Sequence, residues 1–207
     1  MLKCFYNLAD EVAIFMDMKG KHVPALKDKS WLCDLAFLVD VTTHLNEVNT
    51  NLQKQGQLVH ELYGHIKSFE HKLRLWESQL KAGNTYHFPT LASESNIQNI
   101  SQFADELKDL RCEFNVRFQD FRAQEVSLKI FASPFDVDVE TAPLSLQMEL
   151  IDSRENFNLK ITARDISLSE FYQRYFPADK YPKLGDLARK KWHYLEARMS
   201  VNNSFQE

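Results

Sequence analysis

Between Lys29 and Lys81 the chain reads as two long amphipathic helices separated by one glycine-containing break, and no other feature restricts its fold as tightly. From Lys29 to about Lys54, Leu35, Leu38, Val41, Leu45, Val48 and Leu52 recur every three or four residues, with Leu32, Phe37 and Val39 widening the stripe at its start. Such a helix is nearly enclosed by protein where it begins and one-sided where it ends. From about Gln57 to Lys81, Leu58, Leu62, Ile66, Phe69, Leu73, Trp76 and Leu80 form a second seam. Gly83-Asn84 closes it, a pair suited to a left-handed C-terminal cap. The short break at Gly56 predicts an antiparallel hairpin, each limb about 37 Å long at 1.5 Å per residue.

Further helices flank the hairpin. Phe5, Leu8, Val12, Phe15 and Met16 give one stripe over residues 2–19, stopped at Gly20, and Pro24 marks a linker that ends with Asp28 as an N-cap. Residues 84–95 read as a loop. Ser95 or Asn96 can cap a helix whose seam is Ile97, Ile100, Phe103, Leu107, Leu110, Phe114, Phe118 and Phe121, its aromatic half crossing the hairpin. Residues 126–139, VSLKIFASPFDVDV, lack a helical period and predict extended chain with at most one short edge strand. Short helices follow near 144–153, 155–163 and from the Ser167 cap to Tyr175, and a last one runs from about Lys183 to Met199. The expected fold is mostly α with few or no strands. It comprises a helical bundle over 1–122, an irregular short-helix region over 123–189, and a divergent tail over 190–207.

Composition removes several classes of function. With 44% apolar and 26% charged residues the chain is globular rather than disordered, and a net charge of −4 offers no global attraction for nucleic acid or anionic membranes. Asp34 and Asp40 interrupt the most apolar run, so no membrane association is expected. Cys4, Cys33 and Cys112 are odd in number and widely spaced, which supports neither a disulfide framework nor a zinc site, and reduced thiols in the cytosol or nucleus fit best.

Candidate chemistry is sparse. Asp40, His44 and Glu47 share a helix face at i, i+4 and i+7, a partial metal face, but read better as a polar margin beside the apolar seam. His60, His65 and His71 cannot share one ion, because His60 and His71 lie about 16 Å apart along the axis while His65 points elsewhere. They read as solvated helix histidines. Cys33, beside Trp31, Leu32 and Leu35, reads as a buried inert thiol. Asp136 and Asp138 would face one way on a strand, yet no third acid joins them, and the acidic segment 136–155 reads as a solvated edge. No phosphate loop, GxSxG elbow or HExxH helix occurs. Catalytic, cofactor-binding and metal residues are therefore expected to be absent. Lys183, Arg189, Lys190 and Lys191, near Trp192, form the one candidate nucleic-acid contact, with an ordinary basic helix end as the alternative.

Specific strings add an ancestry. KSWLCDLAFLVDVT, LWESQLKAGN, FADELKDLRCEFNVRFQDFRAQE, FASPFDVDVETAP and LQMELIDS occur in an order that closely resembles vertebrate proteins descended from hAT-superfamily DNA transposons. The branch in view carries general transcription factor II-I repeats, and its kin include BED zinc-finger and SCAN-domain proteins. The similarity spans roughly residues 1–189. It implies the helical insertion domain of an RNase H-like transposase. The first two catalytic acids of that ancestor would lie upstream of Met1, and the Cys-Glu motif holding the last has no counterpart here. Beyond Arg189 the sequence KKWHYLEARMSVNNSFQE departs from the pattern, which suggests truncation, a changed reading frame or a mispredicted exon, so neither Glu196 nor Glu207 takes the catalytic position. The resemblance implies a non-catalytic nuclear protein that binds protein partners or weakly contacts non-specific DNA in transcription regulation. A helical adaptor or remnant without activity is the alternative.

Overall fold

Helical periodicity governs nearly the whole chain, and among the described residues none lies in a β-strand. The computed structural model describes residues 2–54, 57–95, 97 and 99–203, with the backbone alone at Val59 and beyond Trp192. The break predicted at Gly56 and the alternative cap Asn96 lie outside the described residues. Two compact units emerge: Met1–Leu52 with Ile66–Arg117, and Gln53–His65 with Phe118–Glu207.

The first unit begins with α1, Leu2–Asn7, and α2, Ala9–Met18, where one helix was expected. Leu8 kinks the chain at φ −107° and shares its N–H between the Cys4 and Phe5 carbonyls. The predicted stripe is only partly turned inward, with Val12 and Met16 half-buried but Phe5, Leu8 and Phe15 exposed. Ala9 and Ala13 are buried, whereas Leu8, Ile14, Phe15 and Met18 lie at the surface. Small side chains permit close approach of a helix to its neighbours, here α2 against the 3-10 turn Pro24–Lys27, whose Leu26 is buried. Gly20 ends α2 at φ +68°, and the N–H of Lys21 closes back on the Met16 carbonyl at 2.9 Å.

Helix α3, Lys29–Leu52, starts where Asp28 accepts the Ser30 N–H at 3.0 Å, and α4, Val59–Lys81, ends at Gly83 with φ +77°. His44 of α3 stacks on Trp76 of α4 at 4.1 Å between ring centroids. The expected loop contains a short helix, α5, Pro89–Ala92. Helix α6, Ile100–Arg117, opens three residues later than its apolar period suggests, and both of its aromatic anchors pack on the hairpin. Phe103 stacks on Phe37 at 4.6 Å, and Phe114 meets Phe69 edge to face at 5.1 Å. Phe88 touches both Phe37 and Trp76, which joins the aromatic contacts into one core.

In the second unit the seam expected to continue through Phe121 breaks at Phe118, and α7, Gln119–Ala123, is followed by α8, Glu125–Ala132. Helix α8 replaces the extended chain predicted there. The missing helical period has a physical cause, because opposite faces are buried: Leu128 packs with Tyr63, and Ile130 joins a second cluster with Leu150, Phe171 and Tyr181. A helix covered on both sides loses the one-sided period that identifies it in sequence.

A 3-10 turn, Val139–Thr141, leads to α9, Leu144–Arg154, then α10, Phe157–Asp165, and α11, Leu168–Glu170. One π turn, Phe171–Tyr175, follows, and α12 runs from Pro182 to Asn203. Asn156 and Ser167 cap α10 and α11 through their side-chain oxygens. Phe171, Phe176 and Tyr181 form an aromatic run at 5.6 and 5.5 Å that fills the space between α9 and α12.

Candidate functional site

Two carboxylates do work that the sequence does not announce. Both α5 and α12 open with proline, which fits the first helical position but leaves the next N–H groups to be satisfied elsewhere. Asp40, 4% exposed, accepts from the N–H groups of Thr90 at 2.9 Å and Leu91 at 3.0 Å through one oxygen. Glu149 of α9 likewise accepts from the N–H groups of Lys183 at 3.2 Å and Leu184 at 2.9 Å. An anion at a helix N-terminus meets both unpaired donors and the positive end of the helix dipole.

These roles correct the polar-margin reading for Asp40, while Glu47 is exposed as that reading expects, and they single out Glu149 from an acidic segment whose Asp136, Asp138, Glu140, Asp152 and Glu155 are exposed. His44 is committed as well, its Nε2 lying 2.9 Å from the His87 carbonyl while its ring covers Trp76. Asp136 accepts from the Ser133 hydroxyl at 2.7 Å, and Asp138 accepts from the Glu140 N–H at 3.1 Å, both in turns rather than on a strand. Among the described residues no group of three or more His, Cys, Asp and Glu side chains is placed to hold a metal ion.

The remaining candidates separate by burial. His60 is half-buried against the edge of Phe131, and its Nδ1 has no hydrogen-bond partner, so it is not the solvated histidine expected. Burial pushes its pKa below the ordinary value. Cys33 is buried as predicted, and burial pushes its thiol up, away from the thiolate a nucleophile requires. In the first unit Glu77 accepts from Lys81 Nζ at 2.7 Å and Arg111 Nε at 3.1 Å, and these bonds hold its carboxyl below the usual glutamate range.

The four basic candidates sit on α12 without forming one patch. Lys183, Arg189 and Lys190 are exposed, and Arg189 pairs with Asp186. Lys191 turns inward, donates to Gln124 Oε1 at 2.6 Å and has its pKa lowered by burial. A stripe of four phosphate-binding cations is therefore not what the fold presents.

Beside Arg189 lies a hollow of about 220 Å³ that sequence reasoning missed. Four aromatic residues line it, namely Phe131, Tyr172, Phe176 and Trp192. Gly185 and Ala188 are buried at its base, and Ala178 is exposed at its mouth. A Cβ on Gly185 would meet the Ala178 Cβ at 3.0 Å, so α12 approaches this closely only because position 185 is glycine. The Tyr172 hydroxyl, pushed to high pKa by burial, is already committed to the Phe131 carbonyl at 3.0 Å. What enters the hollow meets an almost wholly apolar lining. The aromatic clustering from Phe171 to Phe176 was the available signal; the return of α12 against it was not.

Comparison with known proteins agrees with the ancestry read from the sequence. Residues 1–81 match the family model described as the FAM200/GTF2IRD2 helical domain. The chain is 40% identical over 184 residues to general transcription factor II-I repeat domain-containing protein 2 of Bos taurus, and 38% identical over 184 residues to that of Mus musculus. Each alignment covers 88% of this chain but 19% of the relative, so the chain spans about a fifth of the length of the curated relatives it matches. No solved structure matches. No helix among the described residues is long and apolar enough to cross a membrane.

Proposed function

We propose that this chain is a non-catalytic interaction module of hAT-transposon origin that works in the nucleus, in transcription regulation. The observation that carries the proposal is the open apolar hollow between α8, the Phe171–Tyr175 turn and α12. Binding recesses are typically concave and lined mainly by apolar and aromatic side chains, as this hollow is. The similarity to proteins named for general transcription factor II-I repeats supports the setting. The helix-capping duties of Asp40 and Glu149 and the burial of Cys33 support a role in binding rather than in reaction.

The test tethers the full 207-residue chain to a heterologous DNA-binding domain upstream of a reporter gene. The expected result is a several-fold change in reporter output. An unchanged reporter would favour the second reading, a helical remnant without conserved activity. Incubation with supercoiled DNA and magnesium or manganese is expected to leave the DNA uncut, and metal-dependent cleavage would overturn the non-catalytic part.

A further inference from the structure

We propose that a second copy of this chain docks on the outward faces of α9 and α10 to form a two-fold dimer, an association that goes beyond the interaction role read from the hollow and does not depend on it. Helix α9 is apolar on both sides. Leu146 and Leu150 enter the core of the second unit, while Leu144, Met148 and Ile151 recur on the opposite side at i, i+4 and i+7 and stay in water. Helix α10 repeats the arrangement, with Leu159 inside and Phe157 and Ile161 outside. The five outward side chains are between 44 and 86% exposed, and α9 packs directly on α10. At those fractions they hold on the order of 600 Å² in water, most of the roughly 800 Å² that each partner buries in a standard interface. A single exposed apolar residue is ordinary; two consecutive helices with the same outward period are not.

The charges along this face select its occupant. Glu155, the C-cap of α9, continues that helix's stripe at i+11 from Leu144, with exposed Asp152 beside it, while Arg154 turns away to donate to the Pro134 carbonyl. Arg164 continues the stripe of α10 at i+7 from Phe157, and Lys160 and Asp165 sit on its opposite flanks. Among the described residues neither Glu155 nor Arg164 has a side-chain partner. The outward face is therefore acidic where α10 begins and basic where it ends. A uniformly acidic or basic partner satisfies one end and is repelled at the other, and duplex DNA is repelled by Asp152 and Glu155. A second copy satisfies both. With α10 antiparallel to its twin across a two-fold axis near Ile161, Glu155 of each chain meets Arg164 of the other, and the apolar side chains close between them.

Sedimentation equilibrium of the full chain tests the dimer. The expected species has twice the 24.2 kDa mass of one chain and a dissociation constant in the micromolar range. Met148→Glu and Phe157→Glu should each weaken association by about tenfold or more, and because both side chains are exposed the variants should melt close to the wild type. Glu155→Lys and Arg164→Glu should each weaken it several-fold alone, yet an equimolar mixture of the two should pair about as tightly as the wild type, since both contacts return with their signs exchanged. A monomer at about 100 µM, association unchanged by Met148→Glu and Phe157→Glu, or a mixture that pairs no better than its components would each overturn the dimer. A monomer whose tethered-reporter effect is lost in Phe157→Glu would also overturn it and give the face to a different protein. None of the four substituted positions lines the hollow, so failure of the dimer leaves the function proposed above standing.

Discussion

The carboxylate of Asp40 accepts the backbone N–H of Leu91 at 3.0 Å across a sequence separation of 51 residues. The same oxygen takes the N–H of Thr90. One buried side chain of α3 therefore holds the entrance of α5 in place and, with it, Phe88 against Phe37 and Trp76. Asp40→Ala should destabilise the protein by about 3 kcal/mol, because it strands two buried donors as well as removing a cap. Asp40→Asn, which keeps one acceptor, should cost less, and the exposed Asp109→Ala should stay within about 0.5 kcal/mol. Urea unfolding followed by far-ultraviolet circular dichroism measures all three.

Glu77 sets an acid limit on the first unit. Its carboxyl is held below the ordinary value of 4.5, first by Lys81 and then by Arg111. A carboxylate with a depressed folded pKa contributes stability in full above 4.5 and loses it as pH falls through the folded value. Arg111→Met is expected to cost about 2 kcal/mol at neutral pH, where Glu77 keeps a partly buried charge with one partner fewer. The difference from the wild type should shrink as the pH falls below 4.5. Melting temperatures recorded from pH 7 to pH 3 test this, and a constant difference would refute it.

Lys191 shows the opposite sign. Burial lowers its pKa from 10.5, so the folded state pays for its charge at every pH below the folded value. That cost fades as pH rises towards 10.5. Lys191→Met should melt at or above the wild-type temperature at neutral pH, with the gap closing in alkali. A variant that melts well below the wild type at neutral pH would mean that the bond to Gln124 outweighs desolvation.

Two glycines in helices should respond in opposite ways. Gly64, in α4, has open space where a Cβ would sit, and Gly64→Ala should stabilise by about 0.5 to 1 kcal/mol. Gly185, in α12, gains the same helical propensity but forces a contact of 3.0 Å with the Ala178 Cβ. Gly185→Ala should therefore lose about 1 kcal/mol. Thermal denaturation of the two variants side by side decides the signs.

Helix positions were readable wherever one face was buried and the other wet. The seam of α4, that of α3 apart from the exposed Leu38, the Asp28 and Ser167 caps and the Gly20 and Gly83 stops all belong to this class, because each rests on interactions within about one turn of helix. Helix α8 was misread as extended chain because Leu128 and Ile130 are buried in different clusters, which erases the one-sided period. In α2 the predicted stripe was rotated away from the buried face, leaving Val12 and Met16 half-buried and Phe15 outside. Hydrophobicity favoured burying Phe15, but close approach to the Pro24–Lys27 turn selected Ala9 and Ala13.

By itself, then, the sequence determined a mostly helical chain, the two long seams, most helix ends and a similarity to general transcription factor II-I repeat domain-containing protein 2, since these depend on local spacing and on strings of adjacent residues. Tertiary structure decided the rest. It turned Asp40 and Glu149 into helix caps, sent Lys191 inward, and closed α12 over Phe131 and Tyr172 to form the hollow beside Arg189. Each of these pairs groups distant along the chain, and the free energy of a buried charge or an apolar recess is set by whatever the fold brings against it.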